Sequence, residues 1–176
     1  MLSKILSTVI IILIVLAAVI AVQPAEFHIT RTATMAASPA AIFAQVNNLR
    51  KWEAWSPWAK LDPHAQTSYD GPRYGKGASM SWAGNSQVGE GKMTITESHP
   101  NEKILFRLDF VKPLTATNEA EFAFKPKNGQ TEVSWSMSGH KGFLGKAMGL
   151  VLNCDKMAGD QFDKGLAALK SIVEGK

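Results

Sequence analysis

From residue 78 to residue 138 the chain reads as five strands in direct succession, and this run restricts the fold more than any other feature. The strands are 78–83, 88–98, 103–110, 115–125 and 131–138. Gly84-Asn85 and His99-Pro100-Asn101 punctuate the first two gaps. Lys127-Asn128-Gly129-Gln130 is a strong hairpin signal, because Asn-Gly accepts the positive φ values that two-residue hairpins need. The last strand alternates cleanly, with Val133, Trp135 and Met137 on one face. Strands joined by such short turns pair antiparallel, so a meander is expected.

What flanks the meander completes the layout. Residues 27–35 alternate, with Phe27, Ile29, Ala33 and Met35 on one face and His28, Thr30, Thr32 and Thr34 on the other, and Arg31 interrupting the apolar side. Ser38-Pro39 is a helix start, an N-cap followed by proline at the first helical position. Ile42, Phe43, Val46 and Leu49 then follow helical spacing. Asn47-Asn48 marks a break, and 49–55 reads as a second short helix ended by Ser56-Pro57. Residues 59–77 are rich in turn formers, with a short strand at 66–69. From 144 to 173 one long amphipathic helix is expected. Its stripe is Leu150, Cys154, Met157, Ala158, Gln161, Phe162, Leu166, Leu169 and Val173. Gly149, Gly159 and Gly165 inside it either allow close packing or leave a kink.

Strands in series with helices segregated to the ends make an α+β domain. A curved antiparallel sheet wrapped around the terminal helix would bury that helix's stripe. The gap between sheet and helix is a natural ligand cavity.

A second feature stands apart from the domain. Residues 5–22 form an uncharged apolar run, and no charge occurs between Lys4 and Glu26. As a helix the run is about 27 Å long, enough to cross a hydrocarbon core. It reads as an uncleaved membrane anchor, since its core is longer than the roughly 7–15 residues of a secretory leader. A leader cut near Ala21 or Ala25 and a buried core helix are the alternatives. The expected organisation is an anchor and link at 1–25 followed by one domain at 26–176. Lys4 and the α-amino group on the near side place the domain outside the cytoplasm, on a single-pass inner-membrane anchor. Arg31, Arg50 and Lys51 on the other flank weigh against that orientation.

Charge excludes one class of partner. The chain carries a net +4, dispersed, with no window stacking Lys and Arg between aromatics, so nucleic acid is not an expected partner. The surface is mildly basic, which suits anionic lipid headgroups. Cys154 is the single cysteine, so no intramolecular disulfide forms. On the helix stripe it reads as a small buried hydrophobe.

Catalytic chemistry finds little footing. His28, His64, His99 and His140 are scattered and pair with no Cys or carboxylate at metal-ligand spacing. No nucleophile elbow or cofactor motif is present. Gly75-Lys76-Gly77 and Gly89-Glu90-Gly91 lack the strand-to-helix context of a phosphate loop and read as turn or bulge glycines. Glu90 is the one carboxylate worth weighing as an acid or base, if buried near a cavity mouth; a solvated strand residue is the plainer reading. Glu97, Glu119 and Glu121 belong on the outer face.

The chain nevertheless has five Trp and seven Met. Trp55, Trp58, Trp82, Trp135, Phe106 and Phe122 come from every part of the fold, as do Met80, Met93, Met137, Met148 and Met157. Met is flexible and polarisable, Trp brings area and one donor, and such a set suits a pocket for an apolar ligand. A plain core is the competing reading residue by residue. Trp52, Trp55 and Trp58 also fit a gate or a membrane-facing edge.

The order of short motifs adds a resemblance. The motifs are Ser38-Pro39-Ala40-Ala41-Ile42-Phe43, Asn47-Asn48-Leu49-Arg50-Lys51-Trp52, Trp55-Ser56-Pro57-Trp58, Tyr69-Asp70-Gly71-Pro72 and Gly75-Lys76-Gly77-Ala78. They continue through Ser81-Trp82-Ala83-Gly84-Asn85 and Gly89-Glu90-Gly91 to Thr131-Glu132-Val133-Ser134-Trp135-Ser136-Met137. The last is Phe162-Asp163-Lys164-Gly165-Leu166-Ala167-Ala168-Leu169-Lys170. Together they resemble the SRPBCC (START-like, birch-pollen-allergen-like) superfamily, and within it the bacterial polyketide cyclase/dehydrase-like proteins. The resemblance implies a helix-grip fold with a deep hydrophobic cavity, and it carries no catalytic set onto these positions.

Three functions follow as expectations. The first is a membrane-anchored module holding a lipid, an isoprenoid or quinone, or an aromatic polyketide-like molecule. The second is a cyclase or dehydratase, for which Glu90, Tyr69, Tyr74 and Arg107 are the loose polar candidates. The third is a groove that takes a protein partner.

Overall fold

The computed structural model describes residues 1–151 and 153–175, with Cys154 described along its backbone only. An apolar helix, α1 (Leu2–Ala21), leads through a short link to β1 (Glu26–Met35) and α2 (Pro39–Val46). Two 3-10 helices, Leu49–Ala54 and Trp58–Lys60, follow. The meander then runs β2 (Gln66–Asp70), β3 (Ser79–Ala83), β4 (Glu90–His99), β5 (Lys103–Lys112), β6 (Ala116–Lys127) and β7 (Gln130–His140). The chain ends with α3 (Phe143–Val151) and α4 (Cys154–Glu174).

The seven strands form one antiparallel sheet in the order β1-β7-β6-β5-β4-β3-β2. Its inner face packs on α4 through Phe162, Leu166 and Leu169, and on α2 through Ile42, Phe43 and Val46. This is the helix-grip arrangement. Local chemistry sets the joints. Ser38 Oγ accepts the Ala41 N–H at 3.3 Å, with Pro39 at the first helical position. Asn128 and Gly129 both take positive φ, as the Asn-Gly hairpin requires. Gly89 also has positive φ, and β4 shifts register between Glu90 and Gly91, so the Gly-Glu-Gly stretch is a bulge.

Two expected elements differ. The segment at 49–55 is a 3-10 helix ending at Ala54. The single helix at 144–173 is two helices. Asn153 breaks it, because its Oδ1 accepts the Lys156 N–H at 2.9 Å and starts α4 afresh. Leu150 and Met157, read onto the buried stripe, are exposed, Leu150 on α3 and Met157 on the side of α4 away from Phe162 and Leu166. The side chain of Cys154, read as buried, lies outside the described residues.

Helix α1 is long and apolar enough to cross a membrane, and of its residues only Ile20 is buried.

Candidate ligand site

The register lays the inner face out in rows. Trp135, Phe122 and Ile104 face one another across β7, β6 and β5. One step along come Ile29, Met137, Ala120, Phe106 and Ile95. The next row is Phe27, Gly139, Asn118, Leu108, Met93, Met80 and Tyr69. The last holds Ala116, Phe110, Gly91, Trp82 and Thr67, at the end of the sheet where β7 runs on toward α3.

The first rows are filled by rings. Trp135 stacks on Phe162 of α4 with centroids 4.2 Å apart, and lies 4.7 Å from Phe122. Trp52 lies 4.5 Å from Trp55 and meets Phe106 and Phe122 edge-on. Trp58 closes the side, edge-on to Trp135 and Phe162. Gly165 makes this stacking fit, since a Cβ there would come within 2.7 Å of the Trp135 ring. The predicted ligand residues Trp55, Phe106, Phe122 and Trp135 are thus buried with ring neighbours around them, and Met93 is buried in the same core. Trp52 and Trp55 are buried as well, so they form neither a gate nor a membrane-facing edge; Trp52 Nε1 donates to the Val46 carbonyl at 2.8 Å.

The rows nearer α3 are different. Phe27, Met80, Trp82, Leu108 and Met137 share the inner face yet are only partly buried. Gly91 leaves room for Trp82 beside it, and Trp82 Nε1 donates to the Val88 carbonyl at 3.0 Å. Asn118 lies among these residues. It is 8 % exposed, and its Oδ1 has no hydrogen-bond partner. Trp55 Nε1 is the other buried side-chain polar atom without one among the described residues, and the Trp55 ring stands nearly perpendicular to Phe122 and Trp135. A buried carbonyl oxygen left without a hydrogen bond costs about 1–3 kcal/mol, so Asn118 Oδ1 is an expensive atom in this setting. Strand parity places Asn118 with Ala120, Phe122 and Phe124 and opposite Glu119 and Glu121, so its inward position was readable from sequence though not singled out.

The remaining candidates scatter. Met148 and Met157 are on the surface. Glu90 is on the outer face, paired with Lys112 at 2.7 Å. Arg107 also points outward and pairs with Asp109 at 3.0 Å. Tyr74 is exposed. Tyr69 faces inward on edge strand β2; burial raises its hydroxyl pKa, Glu53 adds to the rise, and Arg50 over its ring at 4.3 Å lowers it. The four polar groups considered for catalysis therefore do not converge. A groove of about 420 Å³ lies along β2, β3 and β4, with Ser68, Ser81, Trp82, Glu90 and Lys92 in its lining. Among the described residues no three His, Cys, Asp or Glu side chains assemble as a metal set.

Comparison with known proteins places this architecture. Residues 26–174 match the family model described as polyketide cyclase/dehydrase and lipid transport. Protein CV1439 from Chromobacterium violaceum superposes with a TM-score of 0.61 at 13 % identity, over 84 % of this chain and 96 % of that one. Ara h 8.0201 does so at 0.59 and 11 %, over 86 % and 99 %. The di-domain ARO/CYC protein StfQ from the steffimycin biosynthetic pathway gives 0.61 and 11 %, over 86 % and 51 %. At these identities the structures share the fold alone. Comparison with curated protein sequences returns no match.

Proposed function

The chain belongs to the polyketide cyclase/dehydrase and lipid transport family, and on that premise we propose that its domain holds an apolar small molecule in the half of the grip nearer α3. The guest is a lipid, an isoprenoid or quinone, or an aromatic polyketide-like molecule, with one polar group hydrogen-bonded to Asn118. Helix α1 keeps the domain on the membrane that supplies the guest, on its extracytoplasmic side. The observation that carries this reading is the pairing of inward-facing but incompletely buried Phe27, Met80, Leu108 and Met137 with the unpartnered Asn118 among them. An apolar lining with one polar point is what fixes the orientation of an amphiphile. Tethering raises the local concentration of the site beside its source. The paired, outward positions of Glu90 and Arg107 support binding over catalysis as the better reading.

Native mass spectrometry of the full chain released from detergent micelles, followed by solvent extraction, tests it. A stoichiometric amphiphile is expected. Protein that is empty in every preparation, and stays empty after incubation with total membrane lipid, would sink the reading. Asn118→Leu removes the unpaired carboxamide and should leave unfolding stability equal or up to about 1 kcal/mol higher, while the guest is lost.

A further inference from the structure

We propose that α3 is an interfacial helix, seated in the lipid headgroup layer beside the point where α1 leaves the membrane. This rests on the reading of α1 as an anchor.

Leu144, Met148 and Val151 fall at i, i+4 and i+7, one stripe of α3. They are 56, 38 and 84 % exposed. Phe143 and Leu150 widen the stripe and are exposed too. None of the residues of α3 is buried, so the helix turns its apolar side away from the core. In a helix this short such a face normally covers a core, and its exposure calls for another apolar phase.

What lies against α3 identifies that phase. Lys146 Nζ donates to the Ala21 carbonyl at 3.0 Å, which ties α3 to the last turn of α1. The Lys141 N–H donates to the Ala25 carbonyl at 2.6 Å, fixing the chain just before α3 to the link after α1. Ile20, the one buried residue of α1, lies in that same last turn. A spanning helix ends at headgroup depth, so an element bound to its last turn sits at that depth. Amphipathic helices there bury their apolar side about 5–10 Å into the headgroup and acyl boundary. Gly145, Lys146 and Gly149 form the side facing away from the apolar stripe, which leaves the lysine at the polar level.

The consequence concerns access. Strand β1 begins just after α1, and β7 ends just before α3, so Phe27 and Gly139 of the Asn118 row lie at the lipid surface. An apolar molecule then passes between bilayer and grip without crossing bulk water.

The test uses the full chain in phosphatidylcholine vesicles containing phosphatidylglycerol. Met148→Cys and, separately, Tyr74→Cys are made in a Cys154→Ser background and labelled with the fluorophore NBD. Tyr74 is exposed in the loop between β2 and β3, where Gly75 bonds back to Asn47. Lipids brominated on the acyl chain should quench the label at 148 several-fold more than the label at 74. Equal, weak quenching while carbonate washing leaves the protein in the membrane overturns this inference and spares the anchor. Weak quenching together with release by carbonate overturns both. Quenching at 148 despite release keeps the interfacial helix and removes the anchor. A label at 148 that is shielded from bromolipid and self-quenches as protein density rises assigns the face to a second copy and overturns the proposal. Leu144→Asp combined with Met148→Asp should abolish preferential quenching of a label at 151 without lowering the unfolding midpoint, since neither side chain is buried.

Discussion

Trp135 and Met137 occupy the same face of the same strand, two residues apart, and they have opposite surroundings. Trp135 is sealed between Phe122 and Phe162. Met137, in the next row toward α3, is only partly buried. Alternation treats the two alike, because period two reports which face a residue takes and not what covers that face. Cover comes from the helices. The row of Trp135 is closed by α4, by the 3-10 helix at Leu49–Ala54 and by α2. Toward Met137 and Asn118, α4 has only its first turns to offer, and α3 has turned aside to α1. One end of the inner face is therefore fully covered, and toward the other several side chains are covered only in part.

The sharpest way to break this comparison is truncation on both sides of it. Trp135→Ala should cost about 3–5 kcal/mol in urea unfolding, the range for a buried aromatic whose cavity cannot collapse. Met137→Ala should cost less, about 2 kcal/mol, because the side chain is smaller and only partly buried. Equal losses would mean that the two halves are packed alike and that the site is misplaced.

The same contrast shows what sequence could and could not supply. Strand order, hairpin and inner-face parity were all legible, since each rests on local spacing or on turn chemistry. The α+β class and the wrapping of sheet around helix followed from them. The site was legible only as a pool. Trp55, Phe106, Phe122 and Trp135 carry the same aromatic signal as Trp82, and nothing local separates a fully buried ring from a partly buried one. The break at Asn153 was missed because apolar spacing continues through it. A single side-chain cap, with Oδ1 on the Lys156 N–H, decided between one helix and two. Leu150 lies on α3, and Met157 lies on the side of α4 away from Phe162, Leu166 and Leu169, so both are at the surface. Asn118 was missed because attention to apolar residues passes over a polar one of the right parity.

Glycine substitutions sharpen the comparison at smaller amplitude. Gly165→Val pushes a branched side chain against the Trp135 ring and Pro57, and should destabilise by about 1–3 kcal/mol through overpacking. A Cβ added at Gly149 in α3 would meet nothing within 4 Å. Gly149→Ala should therefore stabilise by up to about 1 kcal/mol through helix propensity alone. Thermal unfolding of both variants in one detergent checks the pair. Destabilisation by Gly149→Ala would show that α3 is packed closely and would count against its place at a lipid surface.

The smallest expected effect lies on the outer face, at the level of Asn118. Asp109 accepts from Thr117 Oγ1 at 2.8 Å and from Arg107 Nε at 3.0 Å. Partial burial raises the carboxyl's pKa, but the hydrogen bonds from Thr117 and Arg107, with the nearby Arg107 and Lys92 charges, bring the net shift below the ordinary Asp value. A folded pKa below the unfolded one means that the unfolded chain binds the proton more readily. The stabilisation is therefore complete above the unfolded value of about 3.9 and is lost as pH falls through that value toward the folded one. Asp109 remains more than a third exposed, so solvent screens the pair and the contribution is small. Asp109→Asn should lower stability slightly at pH 7 and flatten the fall in stability below pH ~4, leaving wild type and variant nearly equal at the acid end. A variant whose acid limb stays parallel to that of the wild type would show that the Arg107–Asp109–Thr117 cluster carries no net charge-dependent stability. The outer face near Asn118 would then be held by backbone pairing alone.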